Sequence, residues 1–213
     1  MLYRVPHRIE TERLVIRRYV ASDAQDLATV VPRNVDHLKQ YMEWVAFEPQ
    51  SVDQRRTFIA DVNAAADEGR DFTLGMFLRT GALIGGTGFH VRDNPHRLAL
   101  GYWIDSAHAG HGYVTEACAA LTQVGLALTG ATIIEISHAP SNERSRAVPQ
   151  RLGYERQTVS NQECFDAGSM TPAVSWYTTI RDAGQAPWAS TERPRALDVH
   201  GNEIVWPQRP ATD

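Results

Sequence analysis

The sequence predicts an α/β (α+β) protein with a mixed, mostly antiparallel twisted sheet and helices on both of its faces. Three observations carry this. Strand-like segments follow one another across short turns, as in an antiparallel meander. The chain then alternates helix, strand and helix, as in a βαβ unit. Its 213 residues, 43% apolar and 22% charged, suit one full core rather than a disordered or fibrous chain.

Taken in order, IETERLVIRR (Ile9 to Arg18) alternates in polarity, with Leu14 and Ile16 on one face, and predicts a strand. Ser22-Asp23 reads as an N-cap opening the helix DAQDLATVV, and NVDHLKQYMEWV (Asn34 to Val45) predicts a second helix. A third begins at a capping Ser51 and stops at Gly69. Phe72 to Arg79 and Leu83 to Val91 predict strands joined at Thr80-Gly81. A turn at Asp93-Asn94-Pro95 leads to the strand LALGYWI, Leu98 to Ile104. Thr115 to Leu128 is an apolar helix, and Thr132 to Ser137 is too β-branched for anything but a buried strand. Asn142 to Leu152 predicts a helix stopped by Gly153, and Tyr154 to Val159 and Val174 to Ile180 predict two closing strands. The count is about seven strands in one domain, residues 1–181.

Residues 182–213 differ in character and hold four of the eleven prolines (Pro187, Pro194, Pro207, Pro210) and two of the five tryptophans (Trp188, Trp206). LDVHGNEIVW (Leu197 to Trp206) suggests a small hairpin. The segment is either a disordered tail or an extension docked on the body or on a second subunit, which would make a homodimer contact.

No apolar run approaches the roughly 18 residues of a membrane span, and the opening MLYRVPHRIETERL lacks the apolar centre of a secretory signal. Cys118 and Cys164 form neither a disulfide framework nor a metal cluster. A cytoplasmic location with no membrane partner and no metal follows as the expectation. A net charge of −4 provides no basic field for nucleic acid.

The chemistry concentrates in AHAGHGYVTEA, Ala107 to Ala117, between a strand and a helix. Gly110 and Gly112 let backbone N–H groups turn toward one point, and the next helix adds unpaired N–H donors and the positive end of its dipole. Such a loop can grip a pyrophosphate; it can also be a plain strand-to-helix turn. It lacks the third glycine of a dinucleotide fingerprint and the Gly-Lys-Ser/Thr of a P-loop.

GHGYVTEA following GYWI resembles the acetyl-CoA loop of the GNAT acetyltransferase superfamily, in particular its RimJ/RimL-like branch. IETERLVIRR resembles that branch's opening strand, HLKQYMEWV its second helix, and NERSRAVPQRLGY its Asn-x-x-Ser motif ending in Gly-aromatic. Together these cover residues 9 to about 180, in order and spacing. The resemblance implies the GNAT fold and an N-acetyltransferase with acetyl-CoA (CoA) as co-substrate. It implies coenzyme contacts from Trp103, Ile104, Ala109, Gly110, His111, Gly112, Tyr113, Val114, Thr115 and Asn142. Ser145 would serve the leaving thiolate, and backbone N–H groups near Trp103 and Ile104 would hold the thioester carbonyl. Two departures stand out. The loop pattern Gln/Arg-x-x-Gly-x-Gly/Ala falls on Ala109, Gly112 and Val114, and the position where many relatives carry an acid tyrosine is Pro149.

By the same resemblance the amine acceptor, a peptide N-terminus or a small molecule, would lie near Tyr41, Glu43 and Trp44 and the loop Ser160 to Pro172. Glu43, Glu48, Glu163 and Asp166 are candidate carboxylates there, or else solvated charges. Glu116 reads as a capping and dipole residue; His108 and His111 either pair with phosphate or face solvent. Two further readings stay open: acetylation of an antibiotic or amino-acid-like compound, and a catalytically silent acyl-CoA-binding module.

Overall fold

The computed structural model describes residues 3–92, 94, 96–158 and 162–207. Asp93 and Pro95 of the expected turn, Val159 and Ser160, and Pro210 of the tail lie outside the described residues.

The expected first strand is two strands, β1 (Arg8–Glu10) and β2 (Leu14–Arg17). The Thr11 hydroxyl accepts the Leu14 N–H (3.0 Å) and the Thr11 N–H reaches the Leu14 carbonyl (3.0 Å), which turns the chain there. Helix α1 spans Ala24–Val30. Asp23 does not cap it through its side chain; that carboxylate takes Arg17 and the Val20 N–H instead. The helix expected from Asn34 to Val45 does not form as one: within it only α2 (Val35–Leu38) is α-helical, and a 3-10 turn covers Glu43–Phe47. The Asn34 amide is drawn away to Asp105, so the segment lacks a side-chain cap, and packing decides its path.

Helix α3 (Val52–Asp67) carries the capping box of Ser51 with Gln54 and ends before Gly69, whose φ is 68°. Strands β3 (Asp71–Leu78), β4 (Leu83–Val91) and β5 (Arg97–Ile104) form the meander. Then come α4 (Tyr113–Leu128), β6 (Ile133–His138), α5 (Glu143–Leu152) and a short β7 (Glu155–Arg156). A separate hairpin of β8 (Glu163–Asp166) and β9 (Ser169–Pro172) precedes β10 (Val174–Thr179), α6 (Pro187–Ser190) and β11 (Arg195–Leu197).

Among the described residues the main sheet has nine strands rather than seven, in the order β11-β1-β2-β3-β4-β5-β6-β10-β7. The extra two come from the divided first strand and from β11, which pairs antiparallel with β1. Among the described strands only β5 and β6 run parallel. One sheet face packs Val15, Phe77 and Leu83 against α1 and Ile59 of α3. The other packs Leu14, Ile16, Leu98 and Leu100 against α4, with α5 and α6 beyond it. Every residue of α4 from Ala117 to Leu126 is buried, as suits a helix whose sequence is apolar all round. Gly125 lets it approach β6 closely; a Cβ there would lie 2.6 Å from the Ile134 side chain.

One feature of register positions the site. Strands β5 and β6 pair only along Arg97–Ala99 and Ile133–Glu135. Beyond Ala99, β5 stays with β4 as far as Ile104, whereas β6 stays with β10 as far as His138. The sheet therefore forks, and among the described residues no strand pairs with the inner edge of β5 beyond Ala99.

Candidate active site

The fork opens a cleft whose lining includes Leu100 to Ile104 of β5, Ser137 and His138 of β6, the loop into α4, and the first turn of α5. Asp105 anchors the loop. Its buried carboxylate accepts from Asn34 Nδ2 (2.9 Å), the Ala107 N–H (3.3 Å), Arg33 and His108 Nδ1 (3.1 Å). Burial alone would raise its pKa, but these hydrogen bonds outweigh burial and hold the carboxyl below the usual aspartate value.

Gly110 and Gly112 then adopt left-handed φ angles of 82° and 80°, and Gly112 is the N-cap of α4. The first intrahelical bond there is donated by Glu116 to the Gly112 carbonyl (3.0 Å), so the N–H groups of Tyr113, Val114 and Thr115 have no intrahelical acceptor. Glu116 does more than face the dipole: it accepts from Thr11 Oγ1 (2.6 Å), the Arg13 N–H (3.0 Å) and Arg13 Nε (2.6 Å). Arg13 also donates to the His111 carbonyl (3.0 Å) and lies 4.7 Å above the Tyr113 ring, tying the β1–β2 turn to the loop.

Across the cleft, Asn142 caps α5, its Oδ1 accepting the Ser145 N–H at 3.0 Å. Ser145 turns its hydroxyl to Tyr102 on β5, 2.9 Å away, and the Tyr102 hydroxyl also donates to the Ser145 carbonyl (3.2 Å). Burial pushes the Tyr102 phenol well above its ordinary range, so it stays protonated. The same burial raises the Cys118 thiol, which makes it core rather than nucleophile.

At these positions the matched profile is the Acetyltransferase (GNAT) domain, which covers residues 13–155. The chain belongs to the GNAT acetyltransferase family. The YdaF protein of Bacillus subtilis (strain 168), provisionally named a ribosomal N-acetyltransferase, is 32% identical over 67% of this chain and 78% of its own. An uncharacterised N-acetyltransferase of that organism, YoaA, is 27% identical over 76% and 90%. Among solved structures, a RimL ribosomal L7/L12 α-N-protein acetyltransferase in complex with coenzyme A superimposes with a TM-score of 0.72 at 18% identity, over 80% of this chain and 97% of that one. Mycobacterium smegmatis RimJ, in complex with CoA-disulfide, gives 0.73 at 20%, over 86% and 90%. These matches place the chain with the RimJ/RimL-like GNAT proteins in fold.

Within this GNAT cleft, Ile104, Ala109, Gly110, Gly112, Tyr113, Val114, Thr115, Asn142 and Ser145 all contribute to the lining. Trp103 does too, although its ring lies on the α1–α3 side, over Gly86 and edge-on to Trp44 at 6.2 Å. The His111 side chain is outside the lining; it stacks on Tyr113 and turns Nδ1 to the Ala109 carbonyl (3.0 Å). Tyr41 lines the cleft, whereas Glu43 and Trp44 do not. Glu48 is occupied by Arg55 inside the fold. Asp166 accepts Ser141 Oγ (2.6 Å), and the Ala167 N–H meets the Gln40 carbonyl (2.8 Å), so the β8–β9 hairpin is laced to the far wall.

Two residues absent from the sequence reading matter most. Glu135 sits at the last paired position of the fork with no solvent exposure. One carboxylate oxygen accepts from Ser137 Oγ (2.7 Å), and Ser137 lines the cleft. The other is 3.3 Å from Arg97 Nε, close enough for charge pairing but without a well-aligned hydrogen bond. Its signal was a lone carboxylate in the run TIIEIS. Tyr102 was visible only as the aromatic of GYWI; the fork shows what it touches. His138, by contrast, has no free nitrogen: Nδ1 donates to the Ala139 carbonyl (2.8 Å) and Nε2 accepts from Trp176 Nε1 (3.0 Å). Burial lowers its basicity further. Among the described residues no group of three or more His, Cys, Asp or Glu is arranged to hold a metal ion, and no helix is long and apolar enough to cross a membrane.

Proposed function

We propose that this protein is an acetyl-CoA-dependent N-acetyltransferase whose acceptor is an α-amino group, best supplied by a peptide N-terminus. The observation that carries the reading is the placement of Ser145 and Tyr102 at the fork, in the same cleft as the glycine-bearing loop. The residues fit the coenzyme chemically. The left-handed glycines and the free N–H groups at the start of α4 form a cradle for a pyrophosphate, and no side chain lies within 4 Å of where a Gly110 Cβ would project. The free edge of β5 beyond Ala99 supplies backbone partners for the amides of a pantetheine arm.

Bound acetyl-CoA supplies an activated thioester carbonyl. The acceptor nitrogen forms the new C–N bond as the C–S bond breaks. Ser145, held by Tyr102, hydrogen-bonds the departing thiolate, which takes up its proton from solvent. The surplus proton on nitrogen leaves through Ser137 to the carboxylate of Glu135, with Arg97 as its counter-charge. An α-amino group, with a pKa near about 8, is neutral far more often at physiological pH than a lysine near about 10.4, which favours an N-terminal acceptor. The ribosomal name carried by YdaF supports a peptide acceptor as well.

The test measures thiol release from acetyl-CoA with short peptides bearing free N-termini, the same peptides with blocked N-termini but free lysine, and a panel of small amines. Acetylation of free N-termini alone supports the reading. Turnover confined to small amines would move the acceptor to antibiotic-like or amino-acid-like compounds. Coenzyme binding without turnover on any of them would leave an acyl-CoA-binding module.

A further inference from the structure

The matched family region ends at residue 155, and the chain beyond it is used structurally. The Thr191 hydroxyl and the Trp188 carbonyl accept from Gln123 Nε2 on α4 (2.8 and 3.2 Å), and β11 pairs with β1 through Arg195 opposite Glu10. The segment Thr191 to Arg195 therefore runs along the flank of α4, from its third turn back toward the Thr11–Arg13 turn that grips the pyrophosphate loop. All five of its residues line the cleft, together with Ala119 and Ala120 of α4 and Arg151 of α5.

Within that segment charge singles out one residue, although Arg151 on α5 likewise has no carboxylate partner among the described residues. Arg13 is paired with Glu116, Arg79 with Glu10, and Arg195 with Glu10 and Glu203. Arg193 has no carboxylate partner among the described residues; its guanidinium lies 4.9 Å above the ring of Trp206, which packs against the core. That contact positions a cation without neutralising it. A guanidinium so held is suited to bidentate recognition of a phosphate.

We infer that the C-terminal extension walls the nucleotide end of the coenzyme groove, with Arg193 receiving the 3′-phosphate of coenzyme A. The inference rests on the acetyl-CoA reading above. It assigns a ligand-binding task to residues outside the matched family region.

The experiment is calorimetric titration of the full chain and of Arg193→Gln with coenzyme A and with 3′-dephospho-coenzyme A. Circular dichroism verifies that the exposed substitution leaves the fold intact. Wild type is expected to bind coenzyme A about tenfold more tightly than the dephospho form, as one charged hydrogen-bonding partner warrants. Arg193→Gln should erase that preference while leaving affinity for the dephospho form unchanged. Equal weakening of both ligands, or no change in either, overturns the inference. Arg151→Gln is the second variant: if it erases the preference and Arg193→Gln does not, α5 holds the phosphate and the inference is again overturned. Failure of wild type to bind either ligand would sink the acetyl-CoA reading itself, and the assignment of Arg193 with it.

Discussion

Tyr102 and Ser145 bring their hydroxyl oxygens to 2.9 Å across the fork, one from a strand and the other from the first turn of a helix. Pro149 is buried within α5, and the phenol that touches the serine comes from β5. The pair forms a neutral donor facing the cleft, since burial keeps the Tyr102 phenol protonated.

Ser145→Ala is expected to lower kcat by more than about tenfold while leaving coenzyme affinity nearly unchanged, because the hydroxyl acts on the leaving sulfur rather than on binding. Tyr102→Phe removes only the support and should cost less. Initial rates of thiol release paired with calorimetry read both effects. Wild-type turnover by Ser145→Ala would remove the serine from the mechanism.

Glu135→Gln keeps the shape and the hydrogen bond to Ser137 but removes the proton-accepting charge. Loss of a positioned base predicts a fall in kcat of about a hundredfold, with KM for acetyl-CoA little changed. Ser137→Ala should reproduce most of that loss, since it cuts the path from the cleft to the carboxylate. A proportional fall in melting temperature and activity in both variants would instead mark Glu135 as a structural partner of Arg97.

Acid should loosen the Asp105 anchor. Its folded pKa lies below the ordinary 3.8, so its contribution to stability is fully present above that value and is lost as pH falls through the lower folded one. Asp105→Asn is expected to destabilise the protein by about 1–3 kcal/mol at neutral pH, because a charged acceptor of several hydrogen bonds is lost. The stability difference from wild type should shrink in acid. Urea titrations at neutral and acid pH measure it, and a difference independent of pH would contradict the assignment.

Gly110→Ala tests the loop conformation apart from sterics. Nothing lies within 4 Å of the added methyl, so the cost is that of holding alanine at a φ of 82°, about 1 kcal/mol. Coenzyme affinity should fall several-fold in step with it. A variant that binds as tightly as wild type would show that the left-handed turn is not what presents the N–H groups.

Much of the fold was legible because local chemistry repeats locally. The capping box at Ser51, the glycine stops at Gly69 and Gly153, the turn at Thr80-Gly81 and the all-round apolar α4 each act within a few residues, so composition and spacing reveal them. The segment from Asn34 to Val45 misled for the opposite reason: its apolar spacing suits a helix, but Asn34 answers to Asp105, 71 positions away.

Local sequence was enough for the meander, the βαβ order that follows it, the glycine-bearing loop and the helix cap that carries Ser145, along with the family resemblance those motifs support. Folding alone settles that β5 and β6 part after Ala99, that Tyr102 meets Ser145, that Glu135 is sealed beneath the fork, and that Arg193 lines the same cleft. These are relations between residues distant in the chain. They are fixed by strand register and by which charges find partners on folding, and neither leaves a periodic trace in the sequence.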